Sequence, residues 1–464
     1  MSRSSRVPCP LSPLRSPLLP CVFALALLAA IFGPAAVLAS DGDPDLGFGL
    51  FGKAVRGAGT AEAVVARADG SLRVAINRSW QVGFMALSEN GAIDTTFGDN
   101  GVTMIDLPTG NTYGDHAAAL FERPDGRLLM VANTTDYTQG ALVQVTADGE
   151  LDAGFGTGGI RLFTHGFDDL RAFAAALQSD GKVLVAGMCY DCGPSIGGDT
   201  FISRYGTTGA LDTTFATSGW VLFDAVEGGT DYDQALALAI DTEGRIVVGG
   251  SAGYSPDHLP YVARRLANGG VDTSFAGSDG IRTLTALVQQ QVTGLVIDPV
   301  SKKILVSTGD QRVLTSETCA VARLRDSGSL DTTFSGDGIV PLTLEEGSNL
   351  HAIQLQSDGK IVAVGSIDGD LAAVQGFLLV RLLADGTFDP SFDDDGQKRV
   401  EFDLDLDPSD RDYALTVTLA GGRVVAAGAA TEGDAPQIAL YRGQSTLVFT
   451  DGFERGSAAG WLGN

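Results

Sequence analysis

"SDGDPDLGFGLFGKAV", residues 40–55, carries Asp45-Leu46-Gly47-Phe48 directly after an apolar leader. The same Asp-x-x-Phe spacing returns at Asp94, Asp152, Asp212, Asp272, Asp331 and Asp389, at separations of 49, 58, 60, 60, 59 and 58 residues. A period that steady marks one supersecondary unit copied along the chain. Every later motif comes after a full run of strand-like sequence. The first comes after only the leader, so the chain opens on the tail end of a repeat.

One unit shows what is repeated. Over residues 350–404, "HAIQLQ" alternates, "SDGK" turns, and "IVAVGS" reads as a buried strand. "GFLLVRLL" comes next as a third strand, "ADG" turns again, and "QKRVEFDL" is a fourth. Short β-rich runs broken by Asp-Gly and Asn-Gly are hairpin signals. Asp69-Gly70, Asp125-Gly126, Asp180-Gly181 and Asp358-Gly359 mark the first turn; Asn90-Gly91, Asp148-Gly149, Asn268-Gly269 and Asp385-Gly386 mark the second. No amphipathic helix of useful length appears. Four antiparallel strands repeated radially predict an all-β, β-propeller fold. Ala-rich first strands ("AAAL", "AFAAAL", "ALALAI") suit inner strands crowded around an axis. A right-handed β-helix is the rival, with shorter coils and no need for two tight turns per unit.

Six whole units lie between the seven motifs. After the last, residues 411–444 supply three more strands but no Asp-x-x-Phe. The N-terminal fragment supplies that missing outer piece, so the expectation is seven blades closed by pairing the N-terminal strand with the C-terminal strands. Closure of this kind removes the exposed sheet edges of an open array.

The residues "SDGKIVAVG…FLLVRLLADGTFDPSF" and "LDTTFSGDGIV" resemble the bacterial delta-60 repeat, a β-propeller family. The resemblance covers about residues 42–442 and implies the fold rather than an activity. "DPVSKKI" in the fifth unit departs from it by lacking the Asp-Gly turn, and the first unit is roughly ten residues short.

The expected organisation is a signal peptide over 1–39, a propeller over 40–445 and a short tail over 446–464. The leader holds Arg3, Arg6 and Arg15 and no acid, then an apolar run over 22–39, ending in small residues. That pattern is a secretory signal. A retained anchor is the alternative, against which Gly33-Pro34 interrupts a run already short for a span. The expected product is secreted, periplasmic or on the cell surface, with no membrane span after cleavage. It keeps 425 residues with a net charge near −29. Such a surface repels a phosphate backbone, so nucleic acid is not an expected partner. The remaining Cys are Cys189, Cys192 and Cys319; the "MCYDCG" pair is expected to close a small disulfide outside the cytosol.

Most chemical motifs have structural readings. An Asp before Thr-Thr accepts a backbone N–H two residues on, and the Phe plugs the space between blades. A residue needed once per blade is structural. "GFGLFG" (47–52) and "GFGTGG" (154–159) fit GxGxxG but open no helix, as phosphate binding requires. "GGSAG" around Ser251 lacks the strand-to-helix elbow of a hydrolase. No catalytic residue is assigned and no cofactor is required. Calcium is the one candidate ion, through Asp41, Asp43, Asp393 and Asp395, closely spaced oxygens short of a full ligand set.

For ligand binding, His116 and His351 each precede Ala at the start of an inner strand, in places comparable to Arg171, Gln234 and Tyr413. Those positions ring the mouth of the channel. The loops between second and third strands differ from unit to unit, as recognition loops do. They offer Tyr190, Tyr254 and His258 as exposed candidates. The leading expectation is a monomeric binding or surface-interaction module for an extracellular ligand or protein. The alternatives are a secreted hydrolase or lyase acting on polysaccharide or peptide at the channel mouth, and a passive envelope protein. The tail, "FTDGFERGSAAGWLGN", is too short to bury a core.

Overall fold

The computed structural model describes residues 41–444, apart from 109–113, 135–137, 166–168, 193–196, 227–231, 254–257, 288, 310–317, 344–346, 369–375, 403, 405–410 and 433–434. The leader, Tyr254 and the tail lie outside the described residues.

Seven four-stranded antiparallel sheets form the blades of a propeller. Blade 1 runs Thr60–Ala66, Leu72–Arg78, Gln81–Leu87 and Val102–Ile105, and blades 2 to 6 repeat that order along the chain. Blade 7 takes its three inner strands, Tyr413–Ala420, Arg423–Glu432 and Ala435–Arg442, from the C-terminal side and its outermost, Lys53–Ala58, from the N-terminal side. Lys53 pairs with Tyr441, Ala54 with Leu440 and Val55 with Ala439. The one helical element among the described residues is a single 3-10 turn, Thr285–Leu287. No helix among them is long and apolar enough to cross a membrane.

The core lies between blades. Each of seven apolar clusters draws on two adjacent blades, and the Phe of each repeat motif sits in the cluster its blade shares with the next. Phe48 and Leu440 meet in the cluster joining blade 7 to blade 1. A blade alone has nothing to bury its faces against, so closure of the ring is a condition of stability.

The repeat motif is built as its chemistry predicts. In all seven copies the Asp Oδ1 accepts the N–H two residues on, from Gly47, Thr96, Gly154, Thr214, Ser274, Thr333 and Ser391. The residue after each Phe then donates its N–H to a carbonyl in the next blade's turn. These donors are Gly49, Gly98, Gly156, Ala216, Ala276, Ser335 and Asp393; the acceptors are Asn90, Asp148, Thr208, Asn268, Ser327, Asp385 and Asp41, at 2.7–3.0 Å. Each acceptor precedes a glycine on which the Phe ring rests. A Cβ on Gly42 would come within 2.8 Å of the Phe392 ring, and Gly42 has φ +86°. Asp41-Gly42 is therefore the turn that blade 7 lacks. The N-terminal segment returns everything from that turn through the motif to the outer strand.

A clamp not anticipated from the sequence fastens this face. Arg204, Arg264, Arg323, Arg381 and Arg442 stand at the last or next-to-last position of third strands, and each Nε meets its motif Asp at 2.7–2.9 Å. Each guanidinium also lies 4.6–4.8 Å from the centre of the motif Phe ring. The other arm of the fork crosses to the next blade. Arg264 Nη1 donates to Asp326 O at 2.7 Å, and at the closing junction Arg381 Nη2 reaches the Asp41 carboxylate at 2.6 Å. Blade 2 substitutes Gln144, which donates to Asp152 at 2.7 Å. Blade 1 has Ala86 there, and Asp94 is left with Arg73 at 3.7 Å.

Candidate functional site

Each innermost strand carries a β-bulge two to four residues from its start. The bulge corrects one sequence expectation. His116 is level with Thr60, Arg171, Gln234, Gln291, Asn349 and Tyr413, each paired near the end of its second strand. His351 is not in that ring. It is the bulged residue of blade 6, in the position that Glu62, Ala118, Phe173, Leu236, Thr293 and Leu415 hold in the other blades. An extra residue in a strand shifts the later side chains to the opposite face, and alternation in the sequence does not reveal it.

The mouth ring closes on a cleft of about 460 Å³ between blades 7, 1 and 2, lined by Thr60, Glu62, Asn77, Trp80, His116 and Tyr413 among others. Two sequence candidates, His116 and Tyr413, meet there. Glu62 projects from the bulge of blade 1. Its Oε1 accepts the Thr60 hydroxyl and the Asn77 amide, the latter at 2.8 Å. Asn77 Oδ1 accepts the Ala117 N–H at 2.9 Å and so ties the acid to blade 2. Desolvation raises the Glu62 carboxyl above the usual range, against the pull of those two hydrogen bonds. Burial, followed by the Glu62 charge, raises the Tyr413 hydroxyl.

Trp80 is the residue that sequence reasoning missed. Arg78 pairs with Gln81, leaving Ser79 and Trp80 as a two-residue hairpin loop. Both have positive φ, 48° and 72°. Two such residues make a type I′ turn, where Asn-Gly is usual and a bulky side chain is strained. Blade 2 fixes the tip: Asp115 N–H donates to Trp80 O at 3.1 Å, and a Cβ on Gly114 would stand 3.1 Å from the indole. The Trp80 side chain remains 69% exposed. The signal was present as "NRSWQ", a turn with no glycine to announce it.

Other candidates are dispersed. Arg171 pairs with Asp169 at 3.0 Å, and Gln234 is buried with its amide on Ser251 Oγ at 3.1 Å. Tyr190 stacks on Tyr232, ring centres 5.5 Å apart. His258, expected exposed, is buried, because its imidazole Nδ1 turns back to Gly253 O at 3.2 Å beneath the blade crossing. Cys189 and Cys192 form a disulfide, and Cys319 is a buried free thiol. Of the calcium candidates, Asp41 pairs with Arg381, Asp393 with Lys398, and Asp395 accepts the Gln397 N–H; Asp43 lends its carbonyl to Gln444. Among the described residues no three His, Cys, Asp or Glu converge as metal ligands. The glycine patterns at 47–52 and 154–159 are parts of repeat turns, as their position predicts.

Residues 123–155, 178–215, 244–275 and 356–392 match a family described as "Domain of unknown function (DUF5122) beta-propeller". Each match runs from the region of a first hairpin turn to the motif Phe, in blades 2, 3, 4 and 6. Comparison with curated protein sequences finds none that matches. Among solved structures, a catalytically inactive virginiamycin B lyase from Staphylococcus aureus with quinupristin is similar at TM-score 0.47 and 10% identity, covering 83% of this chain and 98% of that one. The polysaccharide lyase Uly1 is similar at TM-score 0.48 and 10% identity, over 83% and 90%. Sqt1 from Chaetomium thermophilum is similar at 0.42 and 14%, over 82% and 78%. The chain is a β-propeller repeat protein, and stretches of four of its blades match that family's model.

Proposed function

We propose that this propeller is an exported saccharide-binding module whose site is the cleft at the channel mouth. The observation that carries the reading is Trp80, an exposed indole held on a strained turn beside a recessed acid. An unstrained, polar turn would fold better, so the side chain serves something other than folding. A flat indole stacks on the apolar face of a pyranose ring. Glu62, Asn77, Thr60, His116 and Tyr413 supply donors and acceptors for its hydroxyls. Apolar walls with a few convergent polar groups are the usual make-up of a small-ligand site. Export is supported by the leader and by a disulfide, which persists in oxidising compartments.

Titration of the mature protein with neutral oligosaccharides, read by indole fluorescence and calorimetry, tests the reading. Trp80→Ala is expected to weaken binding at least tenfold with the fold intact. Undiminished binding by that variant overturns it. Glu62 favours one second reading, a lyase or hydrolase using a carboxyl whose proton affinity burial raises. Release of new chain ends from a bound oligosaccharide, abolished by Glu62→Gln, separates the two. Absence of binding to any member of the panel supports a passive envelope role.

A further inference from the structure

The turn after the motif Phe occurs seven times, and one copy differs from the rest. Where blades 1 to 6 have Asp99-Asn100, Thr157-Gly158, Thr217-Ser218, Gly277-Ser278, Gly336-Asp337 and Asp394-Asp395, blade 7 has Leu50-Phe51. Leu50 is 72% exposed and Phe51 65%, and Leu46 nearby is 69% exposed where other copies have Thr, Ala or Pro. The backbone is the same: Leu50 N–H donates to Lys53 O, as Asp99 does to Val102 O and Thr157 to Ile160 O. The turn forms equally well from polar residues, so two large apolar side chains there have no role in the fold. They border a groove of about 720 Å³ that continues over Val55, Phe402 and Leu404. Lys53 and Arg56 flank the groove, and large apolar side chains grouped in the open beside a polar rim mark an interaction surface.

We propose that the cover is the chain's own C-terminal segment, seated through Leu447-Val448-Phe449. The described chain leaves the propeller at the edge of this groove. Gln444 donates its N–H to Asp43 O at 2.7 Å and its side-chain amide to Pro44 O at 3.1 Å. Gly52, next to Phe51, packs on Pro44, where an added Cβ would meet it at 2.9 Å. Twenty residues remain beyond Gln444, and the apolar run starts three residues on. At about 3.4 Å per residue, an extended chain can carry position 447 up to roughly 10 Å from the exit point. The formal charge of −26 works against an anionic lipid surface as the alternative cover.

The test places p-benzoylphenylalanine at position 51 of the full mature chain. Irradiation is expected to give intramolecular cross-links to residues 446–453. Cross-links only to a second chain, only to lipid when phosphatidylglycerol vesicles are added, or only within the propeller overturn the proposal. A second measurement needs no cross-link. Leu447→Asp with Phe449→Asp is expected to raise fluorescence of an anilinonaphthalene dye several-fold, and adding Leu50→Asn and Phe51→Asn to cancel the rise. An unchanged signal in the first variant, or an uncancelled one in the second, also overturns it.

Discussion

The two faces of the ring obey opposite rules. On the face of the Asp-x-x-Phe turns, seven junctions repeat one plan: an Asx turn, a Phe in the inter-blade core, a backbone bond to the next turn and, in five blades, an Arg that joins all three. On the mouth face only fragments of a plan recur. There Asp115, Asp233 and Asp412 each accept a backbone N–H from the preceding blade crossing, while Arg171 occupies itself with Asp169 and blade 1 holds up a tryptophan. The repeated face carries the ring's stability. The varied face is free to differ because the other has already fixed the angle between blades.

The largest effect expected comes from removing residues 41–58. That deletion takes away the Asp41–Arg381 pair, the Phe48 plug and the strand covering the Ala435–Arg442 edge together. Calorimetry and gel filtration are expected to show loss of a cooperative transition and aggregation. A melting temperature within about 3 °C of the intact chain would mean that the junctions are independent and the repeated face is not a closed circuit.

Next in size is the Arg clamp. Arg264 is almost wholly buried with Asp272 at 2.7 Å. Arg264→Met leaves that carboxylate, also buried, without its partner, and breaking a buried pair costs about 3–5 kcal/mol. Blade 1 is the internal control, since Asp94 is more exposed and Arg73 stands off at 3.7 Å. Asp94→Asn is expected to cost under about 1 kcal/mol. Equal losses in urea unfolding would show that the Asx turn, which both share, carries the energy and the guanidinium does not.

The mouth face has its own stability term, and it runs with pH. His165 lies at the crossing from blade 2 to blade 3, stacked on Trp220 with ring centres 5.6 Å apart and Nε2 at 3.0 Å from the Tyr205 hydroxyl. Burial lowers its imidazole to about 4 from an ordinary 6.5. The unfolded chain therefore binds the proton first. Stability is full above pH 6.5 and falls as pH drops from 6.5 towards 4, by about 3 kcal/mol. His165→Gln is expected to flatten that interval in pH-resolved melting curves; an unaltered slope would move the term elsewhere.

What was legible in the sequence divides along the same line. The motif, its Asx turn, the seven blades and the head-to-tail seal are readable because each is a local pattern repeated, and repetition averages out the exceptions. The Arg clamp was not. In "LLVRLL" or "AVARLR" an Arg reads as an outward strand residue, and nothing local says that it folds under onto a Phe eleven residues later. The mouth was only half legible. Position put His116 and Tyr413 at one level, which their register shares, but the bulge at His351 shifts it out of their ring, and Trp80 sits in a turn whose residues do not favour it.

That turn gives the smallest effect, and the one with the opposite sign. Ser79→Asn with Trp80→Gly installs the pair that a type I′ hairpin prefers. An L-residue in the left-handed region costs about 1–2 kcal/mol, part of which is regained in the loop against the added freedom of glycine when unfolded. The indole is mostly in solvent, so little burial is lost with it. The double variant is expected to be more stable by about 1 kcal/mol and to bind oligosaccharide no longer. Stabilising changes that abolish function mark residues kept for function. If the variant is instead destabilised, the contact of Trp80 with Gly114 is a packing contact, and the mouth of blade 1 belongs with the scaffold on the opposite face.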